Sequence, residues 1–123
     1  MNRYLTQEQL SSNLNMGKPI EQWLPHLKKE DYTIIKWLRI DRERDNTFIV
    51  AYFEAFDEGN ETFFDVYEFS TLDPDKPYGQ LSAFKNAIDA ISFCIQNYGA
   101  KENKFVNNGM IQEEYAEYLK GFQ

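Results

Sequence analysis

One histidine, one cysteine and twenty carboxylates make up most of the stock from which this 123-residue chain could build an active or metal site. His26 stands between Pro25 and Leu27, and no nucleophile signature accompanies it, so the partners of a general base are missing. Cys94 falls beside an apolar helical stripe, one turn after Ile91, and reads as a small core residue rather than a thiolate nucleophile. A single His and a single Cys do not make a zinc set. Asp73, Asp75 and Glu68 are close enough in sequence to attract a hard cation. Pro74 and Pro77 interrupt that loop, however, and the glycine and closing glutamate of a calcium loop are missing. Gly59, Gly79, Gly99 and Gly109 are isolated and form no phosphate-binding loop. What remains is the chemistry of paired carboxylates, which can hydrolyse glycosides unaided, with Glu54 and Asp65 as the candidate pair. The expectation is no metal, no cofactor and no self-sufficient enzyme, with a carboxylate hydrolase as the residual enzymatic reading.

Charge says more than any catalytic motif. The net charge is −7, and it is concentrated in one segment. Residues 1–44 carry eight basic and six acidic side chains, and residues 80–123 carry four and five. Residues 45–79 carry nine acids (Asp45, Glu54, Asp57, Glu58, Glu61, Asp65, Glu68, Asp73 and Asp75) against Lys76 alone. Such a segment disfavours nucleic acid or an anionic membrane and favours a basic partner. The N-terminal residues have no apolar signal-peptide core, and the longest apolar run is only Phe48–Phe53, which together with the lone cysteine suits the cytoplasm.

The elements that must position these groups read as a single α+β domain. Thr6 and Gln9 make a capping box, with Leu5 and Leu10 as its hydrophobic staple, and the helix should stop near Asn15–Gly17. Pro19 with Ile20, Trp23, Leu24 and Leu27 predicts a second short helix, interrupted at Pro25. Tyr32–Ile40, Thr47–Phe56 and Glu61–Ser70 predict a three-stranded antiparallel meander. Ser82 as N-cap, Gly99 as stop and a stripe of Leu81, Phe84, Ile88, Ile91, Ile95 and Tyr98 predict the main helix. A last helix should carry Ile111, Tyr115, Tyr118 and Leu119 on one side.

Pairing the second and third strands through a loop at 57–60 sets Tyr52 opposite Asp65. Ile49, Ala51, Phe53 and Ala55, beside Thr62, Phe64, Val66 and Glu68, then form the core face under the main helix. The opposite face would combine Phe48, Val50, Tyr52, Glu54 and Phe56 with Glu61, Phe63, Asp65, Tyr67 and Phe69. Either the N-terminal helices cover that face in a three-layer domain, or it is a recognition surface or dimer seam.

Phe63–Phe69, the Asp73–Gly79 loop and the Ala83–Ile88 stretch give the chain a style that resembles the immunity proteins of bacterial toxin–immunity systems. That resemblance implies a small acidic inhibitor of a basic toxin or nuclease. Asp57, Glu58, Glu61, Asp65, Asp73 and Asp75 would pair with basic side chains, and Tyr52, Phe63, Tyr67 and Tyr78 would act as buried anchors, with Glu54 in the same region. The alternative is a homodimeric structural domain that buries the aromatic face.

Overall fold

The capping box forms as the sequence predicts: the Thr6 backbone N–H donates to Gln9 Oε1 at 2.8 Å, and the Gln9 N–H donates to Thr6 Oγ1 at 3.2 Å. It opens helix α1 (Gln7–Asn15), with Leu5 and Leu10 both buried beside it. A computed structural model describes residues 3–60, 62–75 and 79–121 of the chain. After α1 come strands β1 (Ile20–Lys28), β2 (Thr33–Arg42) and β3 (Phe48–Phe56), then β4 (Gln80–Phe84), helix α2 (Ala87–Tyr98), the two-residue β5 (Val106–Asn107) and helix α3 (Ile111–Lys120). The described residues form an α+β domain with one antiparallel sheet in the order β4-β3-β2-β1-β5.

Two of the expected elements are replaced. The second N-terminal helix is strand β1. Its apolar residues happen to fall at helical spacing, and over Ile20–Leu24 alternation is hidden because both faces are covered, so that even Glu21 and Gln22 are buried. Gln22 is satisfied by a pair of bonds to the backbone of Lys101, donating to its carbonyl at 2.8 Å and accepting from its N–H at 2.7 Å. Pro25 is tolerated because the β1–β2 register slips between Leu24 and Leu27, where the ladder makes no demand on its missing N–H.

The third meander strand is not formed: its described residues, 62–70, are not a strand, and Glu61 lies outside the described residues. The chain crosses close over Gly59, turns through a short 3-10 segment at Val66–Glu68, and buries Val66 and Phe69, three residues apart, instead of alternating. It rejoins the sheet only where the Phe56 N–H donates to the Ser70 carbonyl at 2.9 Å and Thr71 bridges Ala55. The lasting partner of β3 is β4, pairing Tyr52 with Gln80 and Phe48 with Phe84. The start expected for the main helix is therefore strand. Asn86 rather than Ser82 caps α2, accepting from the Asp89 N–H at 2.8 Å, and Gly99 ends it in the left-handed region at φ 71° as expected.

The face assignment is also reversed. Helices α1 and α2 cover the side carrying Leu38, Ile40, Phe48, Val50 and Tyr52. Small Ala90 and Cys94 let α2 approach that side closely, while Ile88 and Ile95 of the expected stripe stay 72 % and 38 % exposed. The side carrying Ile35, Trp37, Phe53 and Ala55 packs instead against α3 and the Val66–Phe69 turn, with Tyr115 wholly buried at its centre. Helix α3 presents Ile111 and Tyr115 as the sequence predicts, and full burial of each such side chain contributes about 1.5–3 kcal/mol. The result is a three-layer domain in which both faces of the sheet are occupied.

Candidate functional site

The residues expected to form one aromatic and acidic face are divided by the sheet. Tyr52 lies on the α2 side, its ring stacked on Tyr98 with centroids 4.3 Å apart, and its hydroxyl donates to Glu54 Oε2 at 2.9 Å. Burial and that carboxylate push the Tyr52 phenol above its ordinary range. Asp65 is on the α3 side, accepting from Gln112 Nε2 at 3.3 Å. The Glu54–Asp65 carboxylate pair and the Tyr52–Asp65 pairing are therefore not formed, because Phe48–Tyr52 of β3 pair with β4 and the later chain meets β3 only at Phe56–Ser70 and Ala55–Thr71.

Asp57 is a structural anchor. Tyr115 donates to its Oδ1 at 2.5 Å and Tyr118 to its Oδ2 at 2.9 Å, fastening the end of β3 to α3. Burial, followed by these bonds to Asp57, raises the phenol pKa of both tyrosines. Trp23 and His26 pack against the same tyrosines, with the His26 and Tyr118 rings 5.0 Å apart and edge-on. Gly59 sits where a Cβ would stand 2.5 Å from the Phe63 carbonyl, the Phe69 ring and the Tyr115 hydroxyl, so only glycine fits there.

Beyond Gly59 the chain presents side chains to solvent. Phe63, Phe64 and Tyr67 are 40 %, 38 % and 41 % exposed. Glu58 and Glu68 are exposed beside them, and Asp65 is half-buried. Glu58 accepts from the Ser70 N–H, and Asp73 accepts from the Asp75 N–H at 3.0 Å, so the acids also shape the loop that carries them. Glu61 and Tyr78 lie outside the described residues. Near the start of β4 a cavity of about 110 Å³ is lined by Tyr52, Phe53, Glu54, Thr71, Leu72, Asp73, Gly79 and Gln80, smaller than a pocket for a drug-sized ligand.

One group at this site escapes sequence reasoning. Glu21 on β1 is fully buried; its Oε1 accepts from the Tyr67 hydroxyl at 2.9 Å and from the Gly109 N–H at 2.6 Å. Its Oε2 has no hydrogen-bond partner among the described residues, and desolvation raises its pKa. The only clue in the sequence is a polar Glu-Gln pair inside an apolar run. Cys94 is buried, and burial alone pushes its thiol up to about 12, which leaves it protonated and inert at neutral pH. Among the described residues no group of three His, Cys, Asp or Glu side chains is placed to hold a metal ion, and no helix is long and apolar enough to cross a membrane.

No family model, curated protein or solved structure matches the chain.

Proposed function

We propose that the chain is a non-enzymatic binding protein whose acidic, aromatic loop, residues 57–75, engages a basic protein as an inhibitor or immunity-type partner. The observation that carries this reading is the company of Phe63, Phe64 and Tyr67. Three aromatic side chains are exposed on a loop that also bears Glu58, Asp65, Glu68, Asp73 and Asp75. No lysine or arginine occurs anywhere from Asp45 to Asp75. Among the described residues, the ion pairs are Arg3 with Glu114 and Glu117, and Arg39 with Asp41, and none of them involves a loop carboxylate. Aromatics supply contact area at protein interfaces, and an unneutralised field of one sign selects a partner of the other and speeds its arrival.

The residues that would meet the partner differ from those the sequence suggests. Tyr52, Glu54 and Asp57 are engaged within the fold, and Glu61 and Tyr78 lie outside the described residues. Exposed Phe64 and Glu68, which the sequence reading did not include, join Glu58, Phe63, Asp65, Tyr67, Asp73 and Asp75. The test is capture from host lysate with the tagged chain and with a Phe64→Ser/Glu68→Lys variant, washed at low and at high salt. A basic protein held by the wild type at low salt, released at high salt and missed by the variant supports the reading. Equal capture by both chains removes the loop from the interface.

A further inference from the structure

The two edges of the sheet are treated differently. At one edge, β5 covers Ile20 and Glu21 of β1 and the chain closes over it, with Tyr4 bridging Val106 and the Leu5 N–H donating to the Phe105 carbonyl at 2.8 Å, while the rest of β1 carries Pro25, a register shift and Lys28. At the opposite edge, β4 pairs with β3 through five consecutive residue pairs without a register shift and, among the described residues, has no strand on its outer side. Alternate residues of an antiparallel edge strand point their N–H and C=O groups outward. Among the described residues no backbone group pairs with Gln80–Phe84 from that side. Edges are ordinarily guarded by charge, proline or a bulge; Gln80-Leu81-Ser82-Ala83-Phe84 has none of these.

We propose that two copies of this chain join edge to edge through β4, antiparallel about Ser82, so that their sheets become one. The strand is self-complementary in that register. Leu81 falls opposite Ala83 of the second copy, Gln80 opposite Phe84, and Ser82 opposite itself. Large side chains therefore meet small or flat ones, and no like charges meet, which matters for two molecules of net charge −7. Leu81 and Ala83 pair with Ala51 and Ile49 and so share their face of the sheet. Leu81 is 59 % exposed there, and a strand laid alongside would shelter it. Because the β4–β4 contact is symmetric and the other edge is capped at β5 and interrupted beyond it by Pro25 and the register shift between Leu24 and Leu27, the assembly stops at two copies instead of growing into a fibre. A basic extended peptide is the rival occupant, but an uncharged edge offers it no electrostatic attraction, whereas a second copy supplies the matching pattern itself.

The test is sedimentation velocity of the full chain across a concentration series, together with Leu81→Lys and Ser82→Cys variants checked for native circular dichroism. The wild type should show a concentration-dependent dimer that salt strengthens, because salt screens the repulsion between two acidic molecules. Leu81→Lys should shift the series to monomer. Under mild oxidation Ser82→Cys should cross-link to a covalent dimer, whereas the wild type, whose single cysteine is buried, should not. A wild type that is monomeric throughout overturns the proposal. So does a dimer that survives Leu81→Lys, or one that leaves Ser82→Cys uncross-linked. Failure here is distinct from failure of the basic-partner reading, since partner capture should weaken with salt and be indifferent to Leu81→Lys.

Discussion

Tyr67 and Glu21 are joined by a 2.9 Å hydrogen bond from an exposed loop ring to a wholly buried strand carboxylate. The same carboxylate oxygen accepts from the Gly109 N–H at the approach to α3, so one side chain fastens the acidic loop and the last helix to β1. Position and charge are thereby coupled, because the surface that carries Phe63, Phe64 and Glu68 is held from beneath by an ionisable group.

That coupling gives a pH dependence with a definite sign. Burial raises the Glu21 pKa above its ordinary value of 4.5; the hydrogen bonds from Gly109 and Tyr67, and then Arg39, oppose the rise without cancelling it, and Asp41 adds to it. Between the ordinary and the raised value the native state holds a proton that the unfolded chain has lost. The stability from Glu21 is therefore complete below the ordinary value and is lost as pH rises through the native one. In Glu21→Gln the amide oxygen can still accept from Tyr67 and Gly109, and this slope disappears. Urea unfolding from pH 4 to pH 8 should show the wild type losing ground to Glu21→Gln as pH rises. Each tenfold difference in native over unfolded proton affinity corresponds to about 1.4 kcal/mol. A constant difference across the range would contradict the assignment.

Gly59→Ala should be among the costliest small substitutions in the chain. The added Cβ would stand 2.5 Å from backbone and ring atoms of the loop and from Tyr115, and overpacking of this kind costs about 1–3 kcal/mol. The urea midpoint should fall accordingly, and Gly109→Ala, at a left-handed φ of 92° with open space around it, should cost less.

The helix start is testable at two positions. Asn86→Ala removes the side chain that accepts from the Asp89 N–H and should cost about 0.5–2 kcal/mol. Ser82→Ala, at the position where the sequence alone places the cap, should be near neutral in denaturant titration.

These contrasts show where the sequence is legible. The Thr6–Gln9 capping box, the Gly99 stop and the Ile111–Tyr115 face are local signals, and each is realised within a few residues of itself. β1 is not legible, because its covered half, Ile20–Leu24, has no alternation to display and its apolar spacing imitates a helix. The 61–70 segment misleads in the opposite way: aromatic residues at alternate positions imitate a strand, while Gly59 and the Val66–Phe69 turn take the chain off the sheet. With that strand removed, the expected partner set divides, Tyr52 and Glu54 to one side and Asp65 to the other. The acidity of residues 57–75 needs no fold to be read, and Glu21 could be found only once β1 was known to be a central strand.

The most direct measurement of the central claim is the affinity of the captured basic partner for the wild type and for Phe64→Ser and Glu68→Lys, titrated calorimetrically at rising salt. Binding by the loop predicts that the wild-type Kd weakens steadily with salt, and that each variant loses about tenfold or more while its unfolding midpoint stays unchanged. Wild-type affinity in both variants, or a Kd indifferent to salt, would contradict it.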